Sequence, residues 1–262
     1  MINVDRAQVM AFRLAAVGLA ERGSARPADL PVLDLGLQEY TPGSTGVALA
    51  ARTSAPLEDD RLLTVWAARG APHLHREADI EALTSQLWPV SDADARARIK
   101  SGQIPDGVGR GAAALRATAE ALREVVREPM PRGEASTGVS ARVPRELTFD
   151  CKPCGARHVS GNVWQHSGLA GRVQVLSRGR DAMLGPLPGP SVPIPEANRG
   201  IAELIVTYLR FLGPAGPAEV AKYLQSTTAE MRAVWPDDLV EVRVDGHPAW
   251  LPAASVSALE SV

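Results

Sequence analysis

The feature that most constrains how this chain can fold is a short grammar that recurs three times: helical stretches with one apolar face, then two β-prone runs around a tight turn. The last copy is the clearest. Over 196–211, Ile201, Leu204, Ile205, Tyr208 and Leu209 share one helical face. Gly213-Pro214-Ala215-Gly216-Pro217 breaks the chain, and 217–225 and 226–234 read as two further helices, the second capped by Ser226. Residues 239–244 and 249–251 read as strands joined through Asp245-Gly246, a strong hairpin signal. The first copy has helices over 4–22, 44–52 and from 76 to Leu87, with strands at 61–66 and 72–75 around Arg69-Gly70. The middle copy has an Ala-rich helix at 112–128 that Pro129 and Pro131 end, a short helix near 134–143, a third at 157–170 and a strand at 172–176. The expected fold is therefore mainly α with small β-hairpins, as tandem winged-helix (helix-turn-helix) units. Their expected bounds are 1–95, 96–185 and 196–262, with 186–195 a Pro/Gly linker.

Composition excludes several classes. With 45% apolar and 22% charged residues the chain can build a core and is not a disordered tail. No apolar run approaches the roughly 20 residues needed to span a bilayer. The first 20 residues carry Asp5, Arg6 and Arg13 in an amphipathic pattern, unlike a signal peptide. Two cysteines are too few for a secreted disulfide framework, so a reducing cytoplasm is expected. Glycines 107, 109 and 111 follow no convincing strand, which argues against a nucleotide-binding loop.

The net charge of −2 hides an uneven distribution. Residues 1–95 hold 8 basic and 13 acidic side chains, residues 96–180 hold 15 and 7, and residues 181–262 hold 5 and 10. A basic middle between two acidic flanks attracts a polyanion, unless its arginines pair with neighbouring glutamates. Within it, Arg132, Ser136, Thr137, Ser140, Arg142 and Arg145 surround the short helix. Hydroxyls and arginines there suit phosphate contacts, although an ordinary solvated helix has the same composition. His73 and His75 alternate on a strand and so face the same way, where they could contact phosphate or bracket a lesion in a groove, or be a wing histidine and a surface neighbour.

Cys151-x-x-Cys154-x-x-x-His158, with His166 eight residues on, is the sharpest local pattern. Two thiolates and one or two imidazoles make a tetrahedral zinc set, and Lys152-Pro153 and Gly155 suit a knuckle turn. With both histidines on the 157–170 helix, they would lie two turns apart on one face. Two reduced, packed thiols and a redox pair are the alternatives.

Several phrases together carry a family likeness: Leu33 to Tyr40 (LDLGLQEY), Trp66 to His75 (WAARGAPHLH), 207–219 (TYLRFLGPAGPAE) and 234–251 (VWPDDLVEVRVDGHPAWL). The chain resembles the winged-helix DNA-binding family whose characterised members include AlkZ-like DNA glycosylases, over nearly its whole length. The resemblance implies tandem winged helices cradling duplex DNA, excision of alkylated or crosslinked bases, and no required cofactor. It also implies a catalytic Gln-x-Gln or Gln-x-Asp where this chain has Gln38, Glu39 and Tyr40, and it favours His73 as a functional position. Tyr40 departs from that motif: a phenol with a reference pKa of about 10 cannot replace a carboxylate base. The resemblance further implies a β-rich segment after the third unit, where this chain reaches Val262. A non-catalytic DNA-binding or protein-docking regulator is the competing expectation.

Overall fold

Asp5 starts the first helix by a reciprocal cap: its carboxylate accepts from the Gln8 backbone N–H (2.8 Å) while Gln8 Oε1 accepts from the Asp5 N–H (3.2 Å). The helix, α1 (Arg6–Ala16), buries Val9 and Phe12 and stops six residues short of its expected end. Strand β1 (Ile2–Val4) precedes it. The computed structural model describes residues 2–179 and 181–262, and over these the chain is mainly helical with four small sheets.

The elements then follow in order. β2 (Leu37–Gln38), α2 (Ser44–Ala50), β3 (Leu62–Trp66), β4 (Pro72–Arg76) and α3 (Ile80–Leu87) form the first group. Its sheet runs β2-β4-β3, antiparallel throughout. The middle group comprises α4 (Asp92–Ile99), α5 (Pro105–Val108), α6 (Ala112–Val125), β5 (Met130–Pro131), α7 (Arg132–Ser140), β6 (Thr148–Cys151), β7 (Ala156–Val159), α8 (Gly161–His166), β8 (Val173–Val175) and β9 (Met183–Pro186). β5-β9-β8 make one sheet and β6-β7 a separate hairpin. The last group is α9 (Ile201–Leu212), α10 (Pro217–Leu224), α11 (Thr228–Ala233), β10 (Leu239–Val244), β11 (His247–Pro252) and α12 (Val256–Glu260). β1 adds to this final hairpin in parallel, Ile2 opposite Val242, so the N-terminal strand is part of the C-terminal sheet.

Several expectations are corrected. The stretch 157–170 is not one helix: it begins as strand β7, and only 161–166 is helical. The strand forms because Thr148 to Cys151 pairs with Ala156 to Val159 around a tight turn, a partner the helical reading did not supply. α4 was not expected. Its buried face carries Ala95 and Ile99 beside a charged pair, Asp94 and Arg98, that replaces the apolar residues a helix pattern requires. The helix α11 is capped by Thr227, whose hydroxyl accepts from the Glu230 N–H (3.2 Å), and not by Ser226. Pro186 closes β9, and Leu187 beyond it is buried beside Val65 and Leu83, while residues 188–191 are exposed.

The cores run across these groups. Trp66 and Trp88 lie in one cluster with Leu115, Leu122, Val163 and Trp164 of the middle group. Leu35, Leu87 and Val90 join the cluster built on α9 and α10. Apolar burial of this kind, roughly 25 cal/mol per Å2, holds the groups edge to edge and fixes the first sheet against both neighbours.

Candidate functional site

Gln38 sits on the edge strand of the first sheet, opposite His73 of β4. Its amide oxygen accepts from Arg69 Nη2 at 2.7 Å. Arg69 is at the tip of the β3–β4 hairpin with φ +60°, followed by Gly70 at φ +63°. A Cβ on Gly70 would stand 2.9 Å from Gln165 Cβ, so this tip must be glycine both for conformation and for close approach of α8. From there Arg69 also reaches the Tyr223 carbonyl (3.3 Å) and lies over the Tyr223 ring (5.3 Å to the centroid), tying the Gln38 strand to α10. The loop after β8 adds a second cation, Arg178, whose guanidinium donates to the Glu39 carbonyl.

Glu39 and Tyr40 behave differently from Gln38. The Glu39 carboxylate is buried and accepts from the N–H groups of Gly43 (2.6 Å) and Thr45 (2.8 Å) and from the Ser44 hydroxyl (3.4 Å). Burial works against its charge, but these hydrogen bonds prevail and hold the carboxyl below its ordinary range. This carboxylate caps the start of α2 and is committed there. Tyr40 is 79% exposed and projects beside the strand into solvent.

His73 and His75 are not surface groups, which corrects their assignment to phosphate contact. Each is only 2% exposed. Burial drives His73 down to about 4 and His75 down to about 3, so both rings are neutral at neutral pH. His73 Nδ1 donates to the Ala71 carbonyl (2.9 Å), while the His75 ring packs against Gly36, where a Cβ would lie 2.4 Å from it. They are buried on one face of the strand next to Gln38, which leaves neither ring open to a phosphate.

In the middle group α7 lies over the β6–β7 hairpin, and this contact consumes two of the candidate hydroxyls. Ser140 Oγ donates to the Ser136 carbonyl (2.6 Å) and accepts from the Val159 N–H (2.8 Å), which removes it from any phosphate. Ser136 Oγ stands 3.1 Å from His158 Nδ1. Thr137 is exposed and donates to the Gly133 carbonyl (3.1 Å). Arg142 pairs with Glu124 (3.2 Å), whereas exposed Arg132 and Arg145 have no side-chain partner among the described residues. Arg132 and Arg178 line one cleft of about 290 Å3 with Trp66, Pro72 and Gln165. An adjoining cavity of about 560 Å3 shares Arg132 and reaches Ser136 and His158. A larger cavity, about 790 Å3, is walled by Arg61, Arg76, Arg172 and Pro188 and includes none of the Gln38 residues.

The thiols and one imidazole do converge. Ligand atoms of Cys151, Cys154 and His158 lie within 4.8 Å of one another at the end of the β6–β7 hairpin, so these three can form a metal site. The Cys151 sulfur, by hydrogen bond and charge, raises the Cys154 thiol. His166 is not part of this cluster. With His158 on a strand and His166 ending α8, the two share no helix face. His166 is instead half-buried at a junction, Nε2 3.4 Å from Gln225 Oε1, and desolvation of the ring drives it down to about 4.

A profile described as DNA glycosylase AlkZ-like matches residues 33–261. The chain belongs to the AlkZ-like DNA glycosylase family. Its fold is similar to that of Streptomyces sahachiroi DNA glycosylase AlkZ, with a TM-score of 0.69 at 20% identity over 100% of this chain and 73% of that one. At that identity the likeness concerns the fold alone. No curated protein matches. The AlkZ-like span contains Gln38 and also the two cations around it, Arg69 and Arg178, which sequence reasoning missed. Arg69 was visible as a hairpin tip, in the phrase Arg69-Gly70-x-x-His73, but its reach to Gln38 and Tyr223 is tertiary. Arg178 lies 140 positions from Gln38 and gave no signal. Among the described residues no helix is long and apolar enough to cross a membrane.

Proposed function

We propose that this AlkZ-like protein binds duplex DNA across the cleft between its first sheet and the basic middle group, and there releases alkylated or crosslinked bases. The observation that carries the reading is the placement of Gln38: its amide oxygen is held by Arg69, which leaves its NH2 group free to donate from the strand edge. Cleavage breaks the N-glycosidic bond with its electron pair leaving on the base. A base alkylated on a ring nitrogen is already cationic, so it departs without protonation by an acid. Water then adds to the sugar cation and releases its proton to solvent. Gln38 orients that water by donating to it, and the carbonyls of the strand are available to accept from it. Glu39 takes no proton here, because its oxygens are already occupied by α2.

In this reading the three units, 1–95, 96–185 and 196–262 joined through 186–195, act as tandem winged helices around the duplex. Arg132 and Arg145 are free for phosphate, whereas the Thr137 hydroxyl proton is already given to the Gly133 carbonyl, and the protein works in the cytoplasm. The chemistry requires neither cofactor nor nucleotide, and a zinc ion at the Cys/His cluster has a structural role argued below. A second reading, a non-catalytic duplex binder or protein-docking regulator, is favoured by Tyr40 in the third motif position and by the committed Glu39.

Release of methylated purine from alkylated duplex, measured beside a binding titration at two salt concentrations, separates the two. The first reading expects release in the unmodified protein and a loss of about 100-fold in Gln38→Ala, with DNA affinity unchanged. Salt-sensitive binding without release leaves the second reading. No binding at low salt removes DNA from both.

A further inference from the structure

We infer that the β6–β7 hairpin is a zinc knuckle, with Cys151, Cys154 and His158 as ligands and water in the fourth position. The site goes beyond the proposed chemistry at Gln38, on which it does not depend. Its frame is built by the backbone. The Gly155 N–H donates to the Cys151 carbonyl (2.9 Å), and Gly155 at φ +62° turns the chain so that both sulfurs lie on one side of the loop. The ladder then returns strand β7 with Ala156 opposite Cys151 and His158 opposite Phe149. Asp150 and Arg157 pair across the same ladder (2.9 and 2.8 Å) and hold its register beside the turn.

The three ligand atoms already lie within 4.8 Å of one another. Zinc bonds of about 2.3 Å to sulfur and 2.0 Å to nitrogen place tetrahedral ligands about 3.5 to 3.8 Å apart, so small side-chain rotations close the site. The donor chemistry selects the metal: two thiolates and an imidazole suit zinc and disfavour magnesium and calcium, which take oxygen. Ser136 Oγ stands 3.1 Å from His158 Nδ1, so with Nε2 on the metal it is the outer hydrogen bond that metal-binding histidines usually have. It also connects the site to α7: a metal that fixes His158 fixes Ser136, and Ser140 secures the same helix to Val159. Among the described residues no fourth cysteine, histidine or carboxylate joins the group, which assigns the fourth position to solvent.

The test uses the full chain, purified with reductant and dialysed against zinc. About one zinc per chain is expected, falling to near zero in Cys154→Ser and His158→Ala and unchanged in Lys152→Ala. Cys154 and Lys152 are both exposed turn residues, so neither substitution threatens folding, and circular dichroism checks it. Cobalt in place of zinc is expected to give a thiolate charge-transfer band and visible bands of tetrahedral intensity. Zinc retained in Cys154→Ser, no zinc in the unmodified reduced protein, or a cobalt spectrum lacking the thiolate band would each overturn the assignment. None of these readouts involves DNA, so the knuckle and the reaction at Gln38 stand or fall separately.

Discussion

Three histidines, buried His73 and His75 and half-buried His166, share one consequence. Burial lowers each from the ordinary 6.5, to about 4, 3 and 4. Above pH 6.5 both folded and unfolded chains carry neutral rings and these residues contribute no pH dependence. Below it the unfolded chain takes up protons that the folded one refuses, so stability falls as pH drops from 6.5 toward 4. Each ring adds a slope of up to roughly 1.4 kcal/mol per pH unit. Urea melts at pH 7, 6 and 5 should show the midpoint falling, and His73→Gln should flatten the fall. An unchanged midpoint would mean that the rings are accessible to protons in the native state. The other residue-scale prediction concerns Asp94 and Arg98, which pair bidentately (3.0 and 2.7 Å) with almost no exposure. Arg98 also donates to the Leu87 carbonyl (2.7 Å), and Asp94 accepts from the Val90 N–H (3.0 Å), so the pair closes the α3–α4 corner. Asp94→Ala leaves a guanidinium buried without its counter-ion and should cost about 3 to 5 kcal/mol by equilibrium unfolding.

At the scale of elements, the final hairpin is the part that local chemistry determines most completely. Asp245 and Gly246 both adopt positive φ, +48° and +81°, the geometry in which a two-residue turn matches strand twist. A Cβ on Gly246 would meet nothing within 4 Å. Gly246→Ala therefore carries a backbone penalty alone, about 1 kcal/mol, read as a small fall in the urea midpoint with no change in slope. That hairpin, the β3–β4 pair and helices α6, α9 and α10 were legible because their signals are local: a turn dipeptide, an apolar face, a proline stop. The elements that were not legible depend on partners distant in sequence. α4 lacks a continuous apolar face because Asp94 and Arg98 neutralise each other inside it. β7 reads as helix until β6 is placed opposite it. β1 has three residues and becomes a strand only because β10 is nearby. The site divides in the same way. The family resemblance singled out Gln38 as a candidate, whereas the capping role of Glu39 and the burial of His73 and His75 follow from neighbours the sequence does not show.

For the whole molecule, the question is what becomes of the basic excess in residues 96–180. Much of it is spent internally: Arg98 on Asp94, Arg110 on Glu146, Arg142 on Glu124, Arg157 on Asp150, and Arg116 and Arg123 on backbone carbonyls. The field available to an external polyanion comes from a smaller set, in which Arg132 beside the cleft and Arg145 after α7 are exposed and without ion-pair partners among the described residues. A duplex lying over this surface releases about one counter-ion per phosphate neutralised, so log K should fall linearly with log salt. Arg132→Ala and Arg145→Ala should each reduce that slope by about 1, and the double variant by about 2, similarly for all duplex sequences. Arg157→Ala, which removes a charge already paired with Asp150, should leave the slope unchanged. Fluorescence anisotropy with a short labelled duplex over several salt concentrations measures all four. Equal slopes in the unmodified protein and the double variant would place the duplex on some other face, and the arginines around α7 would then be only a solvated surface.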